Sequence, residues 1–215
     1  FGTEINDTAI GNYGDMTMYS FHATKLFNTI EGGALACSNP KLKKQLDLIR
    51  NFGIKNEEEI VTIGTNGKMN EFQAAMGLEV LKEVEKERKK RKVIEKIYYN
   101  KLKEVNGISF IPNLPRVRNS YQYLVIKINK NKYGVSRDYI YKKLREYNVY
   151  ARKYFYPLCS NYKVYDNFTS AKQENLPIAN EEVNKVLSLP FYGRLSLDKV
   201  RKISDLIVEI RNSKA

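Results

Sequence analysis

Residues Tyr19–Leu35 read YSFHATKLFNTIEGGAL. An apolar, strand-like run ends in Ser20, His22 and Lys25, passes through a short mixed turn, and resumes after Glu31-Gly32-Gly33. His22 is the only histidine in the chain. A lysine placed where a buried strand gives way to a glycine-bearing turn can lose part of its hydration, which is what Schiff-base chemistry asks of an amine. The hydroxyl of Ser20, five residues earlier, suits a phosphate oxygen. The same residues also read as an ordinary surface lysine, a turn serine and a satisfied polar group near a core. Spacing alone leaves both readings open.

Working outward, Asp15–Phe21 and Gly33–Cys37 read as two short strands flanking the lysine segment. Asn39 and Pro40 then predict a capped helix running to about Asn51, with Gly53 ending it. A polar loop, GIKNEEEIVTIGTNGKMN, leads into one long helical pattern from about Asn70 to Glu104. Past Gly107 the pattern changes: a proline-bearing connection at Pro112 and Pro115, a strand at Tyr121–Ile128, a helix at Ser136–Tyr147 and a short strand at Val149–Arg152. A final helix runs from Ser196, its cap, to about Arg211, with Asp198 in the first turn. This tail reads as a small α/β domain. The expected division is 1–80, a connecting helix over 81–106, and 107–215. The opening, FGTEINDTAIGNYGD, lacks an initiator methionine and any element long enough to start a domain, so the chain is expected to be the carboxy-terminal part of a longer protein.

Composition narrows the functional classes. With 215 residues, 42% of them hydrophobic, the chain can bury a sizeable core. No apolar run reaches the roughly 18 residues of a membrane helix, and no signal peptide precedes the first strand, so a cytoplasmic protein without membrane contact is expected. Cys37 and Cys159 show no metal-ligand spacing and read as free thiols, and no metal site is expected. The net charge of +13 raises the possibility of nucleic acid, yet its densest run, KERKKRK at Lys86–Lys92, lies within the long helical pattern with no recognition motif beside it. A solvated helix face explains that run, and no nucleic-acid partner is expected.

The segment SFHATKLFNTIEGGAL resembles the lysine motif of the DegT/DnrJ/EryC1/StrS sugar aminotransferases. GTNGKMNEFQAAMGLEVL at Gly64–Leu81, KYFYPLC at Lys153–Cys159 and LSLPFYGRLSLDKV at Leu187–Val200 resemble further motifs of that family, in the same order. The resemblance implies an α/β fold: the end of the large domain of a fold-type I aminotransferase dependent on pyridoxal 5'-phosphate (PLP), followed by its small domain. It implies that Lys25 carries PLP and moves the proton, that Ser20 binds the cofactor phosphate, and that Asn66 reaches the phosphate of a partner's PLP across a homodimer. Lys68 stands where many relatives have a substrate-holding arginine, and a lysine lacks that two-pronged fork. Lys153, Tyr154 and Tyr156 become candidate sugar-nucleotide contacts, and His22 a positioning residue.

Other parts of the family site, including the carboxylate that pairs with the pyridine nitrogen, are expected upstream of Phe1, so this stretch alone is not expected to be active. The implied reaction moves an amino group from glutamate to a nucleotide-linked keto sugar. The wording of the motifs points first to dTDP-3-amino-3,6-dideoxyhexoses, with 4-amino sugars as the alternative. A non-catalytic binding or regulatory protein on the same scaffold is the other alternative. Sugar-dehydrating relatives carry histidine in place of the lysine, and Lys25 argues against that activity.

Overall fold

The computed structural model describes residues 1–213. Along the chain its elements are β1 (Glu4–Ile5), β2 (Thr8–Ala9), β3 (Thr17–Ser20), β4 (Gly33–Ala36), α1 (Pro40–Arg50), α2 (Glu71–Leu102), β5 (Ile108–Phe110) and β6 (Val117–Arg118). There follow β7 (Val125–Ile128), α3 (Lys130–Tyr133), α4 (Arg137–Glu146), α5 (Pro177–Glu182), β8 (Val186–Ser188) and α6 (Leu197–Asn212). The chain forms two compact units, one from Phe1–Arg88 with Asn113–Ser120, the other from Lys89–Pro112 with the chain from Tyr121 onward.

The first unit is built from small antiparallel pieces. β1 turns into β2 through Asn6 and Asp7, both in the left-handed region with φ of 49° and 59°, which these two residue types tolerate. β6 adds to the other side of β1, where Arg118 is ion-paired with both Glu4 and Glu85. β3 and β4 pair with Thr17 opposite Ala36 and Ser20 opposite Gly33. α1 starts where the sequence predicts: the Asn39 side chain accepts from the Lys41 and Leu42 N–H groups, and Pro40 takes the first helical position. It ends at Arg50, and the chain turns away through Gly53, whose φ is +77° and where an added Cβ would lie 1.7 Å from the Thr62 carbonyl oxygen. Only glycine fits there. α2 opens on a reciprocal cap, with Gln73 N–H donating to Asn70 Oδ1 (2.9 Å) and Asn70 N–H to Gln73 Oε1 (3.2 Å).

The second unit has an antiparallel sheet in the order β5-β7-β8, with Ile108 opposite Ile128 and Val125 opposite Ser188. Ile126 and Ile128 alternate into the core, where they join Ile94, Tyr98 and Leu102 of α2, Ile140 and Leu144 of α4, and Leu187 of β8. α6 contributes Val200, Ile203, Ile207 and Ile210, a stripe of one helical face. Burying each such side chain stabilises by about 1.5–3 kcal/mol, so this core dominates the unit's stability.

The expected strand over Tyr121–Ile128 is shortened to Val125–Ile128. Tyr121 has φ +55°, and its carbonyl accepts from the buried Arg91 guanidinium at 3.2 Å, which takes it out of the extended run. The expected strand at Val149–Arg152 is reduced to one bridge, Arg152 with Ser188. The charged run on α2 is partly spent within the protein: Lys86 pairs with Glu83, Arg88 with Glu85, and Arg91 is buried. No helix among the described residues is long and apolar enough to cross a membrane. Both cysteines are free thiols.

Candidate functional site

The hairpin β3–β4 carries Lys25 on its connecting loop, residues 21–32. Backbone bonds close the neck of that loop, Phe21 N–H to the Gly32 carbonyl (2.9 Å) and Thr29 N–H to the Phe21 carbonyl (3.0 Å). Apolar packing then fixes it: Phe21, Leu26 and Phe27 are buried with Val84 of α2, and the Phe21 and Phe27 rings meet edge to face at 4.7 Å. Thr29 is 1% exposed, and its side chain lies so close to Gly77 of α2 that an added Cβ there would come within 2.8 Å. Gly77 is therefore what lets the loop sit against the helix.

Within this frame the main chain of Lys25 is held at both polar groups. Its N–H donates to the His22 carbonyl (2.9 Å), and its carbonyl accepts from Asn28 Nδ2 (3.3 Å). Asn28 Oδ1 accepts in turn from the Ile30 N–H (3.3 Å). Ile30, a β-branched residue, has φ +68° and is spanned by a Glu31 N–H bond to the Thr29 carbonyl, a tight three-residue turn with a left-handed centre. A side chain that normally avoids this conformation is kept in it by bonds on either side, the kind of local strain that clusters at functional sites.

His22 ties the loop together. The Thr24 N–H points at its Nδ1 (3.3 Å), which assigns the lone pair to that nitrogen and the proton to Nε2. Thr24 Oγ1 lies 2.9 Å from the same Nδ1, and Nε2 faces Glu31 Oε1 at 3.5 Å. The His22 N–H donates to Ser20 Oγ at 3.5 Å. Ser20, His22 and Lys25 are thus brought together, Ser20 exposed at the strand end and Lys25 half-buried.

Asn66 and Lys68 lie on another exposed stretch of the same unit. Thr65 N–H to the Ile49 carbonyl (2.8 Å) and Gly67 N–H to the Arg50 carbonyl (2.9 Å) pin this stretch along the end of α1, with Asn66 bridged to Asn51. Lys68 Nζ sits 4.3 Å from the centre of the Phe52 ring. In the second unit, Lys153 Nζ is paired with Asp138 Oδ1 at 2.5 Å and lies 4.6 Å from the Tyr141 ring centre. Tyr154 stacks on Phe155 at 4.5 Å, with Tyr123 edge-on to both. Burial pushes the Asp138 carboxyl upward, but Lys153 and Arg137 together hold it below the usual carboxylate value.

Sequence reasoning missed Asn28, Glu31, Arg137 and Asp138. Asn28 left a signal, since an asparagine three residues after the lysine can bond the backbone of a turn. Among the described residues, no group of three or more histidine, cysteine or acidic side chains could hold a metal.

A lysine amine and a strand-end hydroxyl, Lys25 and Ser20, carried by the same hairpin are a donor set suited to a cofactor with an aldehyde and a phosphate. The chain is 37% identical over 212 residues to a dTDP-4-amino-4,6-dideoxy-D-glucose transaminase of Shigella dysenteriae, covering 98% of this chain and 57% of that protein. A transaminase of the same name from Escherichia coli is 40% identical over 199 residues, covering 91% and 53%. The chain therefore spans a little over half the length of these relatives. The crystal structure of DesI in the presence of its TDP-sugar product superposes with a TM-score of 0.90 at 28% identity, covering 99% of this chain and 54% of that one. The fold is accordingly that of part of a sugar aminotransferase. With its sequence profile matching residues 1–208, this chain belongs to the DegT/DnrJ/EryC1/StrS aminotransferase family.

Proposed function

We propose that the full-length protein is a cytoplasmic, PLP-dependent enzyme that moves an amino group from glutamate to a nucleoside-diphosphate-linked keto-deoxysugar. The observation that carries this reading is Lys25, whose backbone is bonded at both polar groups on a packed, strained hairpin tip. The residues present fit PLP: an amine and a hydroxyl held in one hairpin, with the Ser20 oxygen exposed for a phosphate. Bound PLP supplies an electron sink at the amino-bearing carbon. Lys25 would hold the cofactor through its Nζ amine and would carry the proton at that atom. His22, fixed by Thr24 and Glu31, keeps the turn of Lys25 in place.

The two relatives described above are named as 4-amino sugar transaminases, which favours carbon 4 of a dTDP-linked 4-keto-6-deoxyhexose over the 3-keto sugar that the motif wording suggests. Asn66 is assigned to the partner's cofactor in a homodimer, and Lys68, Lys153, Tyr154 and Tyr156 to the sugar-nucleotide side. The first unit exposes Ile63, Phe72 and Leu78, an amount of apolar surface that supports a covering partner.

The test is the visible absorption of the full-length protein loaded with PLP, followed during addition of glutamate and then of 4-keto or 3-keto dTDP-sugars. Glutamate should bleach the band and the 4-keto sugar should restore it fastest. The Lys25→Ala protein should show neither change while melting within about 2 °C of the wild type, as expected for a half-exposed residue. Turnover retained in Lys25→Ala would contradict the reading.

A further inference from the structure

The second unit buries one arginine almost completely. Arg137 is 2% exposed, its Nη1 donates to the Val183 carbonyl (3.1 Å) and the Val186 carbonyl (2.7 Å), and its Nε donates to Asp138 Oδ1 (2.8 Å). Burying a guanidinium is costly unless its donors are met, and an apolar side chain of similar volume would serve a core as well. A charge kept there has a geometric use. Its guanidinium carbon lies 5.4 Å from the centre of the Tyr156 ring. Lys153 Nζ lies 5.7 Å from the same ring centre and is held by the same Asp138 oxygen. One ring thus meets two cations that share one carboxylate, and a ring face attracts cations. Asp138 stands in the first turn of α4, which is capped by Ser136, so the carboxylate is mounted on a fixed element.

We propose that Arg137 and Asp138 are positioning residues for the sugar-nucleotide half of the reaction, setting the Tyr156 ring and with it the Lys153–Tyr156 segment. The proposal rests on the functional reading above. It also changes the role of Lys153: with its amine on Asp138, it acts through Tyr156 and not on a substrate phosphate. Tyr156 keeps an exposed face, so the ring is held without being enclosed.

The experiment uses the full-length enzyme and separates its two half-reactions. Asp138→Asn should raise KM for the keto sugar roughly five- to tenfold, with kcat within about twofold, and leave the glutamate half-reaction as in the wild type. Affinity for dTDP alone, measured by calorimetry, should fall by a similar factor. Tyr156→Leu should resemble Asp138→Asn, and the double variant should be no worse than either, because both remove one contact. An unchanged sugar KM in Asp138→Asn, or equal slowing of both half-reactions, overturns the inference. A wild type that accepts the amino group from glutamate but aminates no keto sugar overturns the functional reading and this inference with it. A wild type that turns over normally beside an unaltered Asp138→Asn overturns the inference alone.

Discussion

The lysine hairpin and the sheet of the second unit are held in different ways. Among the described residues the second unit's core gathers nineteen buried apolar side chains, whereas the hairpin rests on a cluster of four. What the hairpin lacks in burial it makes up in directed bonds: Lys25 is fixed at N–H and carbonyl, Thr29 at three atoms, His22 at both ring nitrogens. Apolar burial is non-directional and tolerates small shifts, while hydrogen bonds set angles. A group that must meet a cofactor at a defined distance is served by the second kind of support. A domain that must stay folded is served by the first.

Core truncation should break the comparison most visibly. Leu144→Ala, at a fully buried position of the second unit, is expected to cost about 3–5 kcal/mol of global stability, read by denaturant unfolding. Leu26→Ala in the smaller hairpin cluster should cost about 2–3 kcal/mol, nearer the lower end of the range for such truncations. Equal losses would show that the hairpin is supported by burial after all.

Gly53→Ala comes next. Its Cβ would overlap the Thr62 carbonyl, and its φ is positive, so a loss of more than about 2 kcal/mol is expected, together with faster hydrogen exchange over residues 51–66, the stretch that carries Asn66. Protection unchanged across that stretch would count against the pinning described here.

Asn28→Ala sharpens the comparison. It removes the bonds to the Lys25 carbonyl and the Ile30 N–H, at a cost of about 1–2 kcal/mol confined to the loop. Exchange of amides 25–31 should accelerate while the second unit stays protected. Acceleration in both units would mean that the loop is not an independent piece.

The smallest effect concerns acid. Asp138 titrates below its usual value, so its contribution is present above the unfolded value near pH 4 and is lost as pH falls through the lowered folded value. Because the carboxyl is about half exposed, that contribution is under about 1 kcal/mol. Wild type should melt above Asp138→Asn at pH 6, and the gap should close near pH 2. A gap that persists at pH 2 would exclude the ion pairs as its cause.

Much of the architecture is legible in the amino-acid sequence. The caps at Asn39 and Ser196 lie where the side-chain oxygens meet the first free N–H groups, and the strands flanking Lys25 differ from expectation by one or two residues at their ends. Local chemistry explains those elements. Tyr121 does not follow local rules: an arginine thirty positions away binds its carbonyl, and no pattern near Tyr121 shows that. The three-residue strands β5 and β8 are too short for alternation to mark them, and they exist because β7 lies between them. In the candidate site, the lysine motif marks Ser20, His22 and Lys25. Arg137 and Asp138 read as a helix start, and the bond of Asp138 to Lys153 arises only when α4 and the 153–156 segment pack together.

The central claim is that Lys25 holds the cofactor. The most direct measurement is borohydride reduction of the PLP-loaded full-length protein, followed by proteolysis and mass mapping of the modified lysine. The account predicts one stoichiometric label, on Lys25. A label on another lysine, or a reduced protein that releases all its cofactor on denaturation, would contradict it.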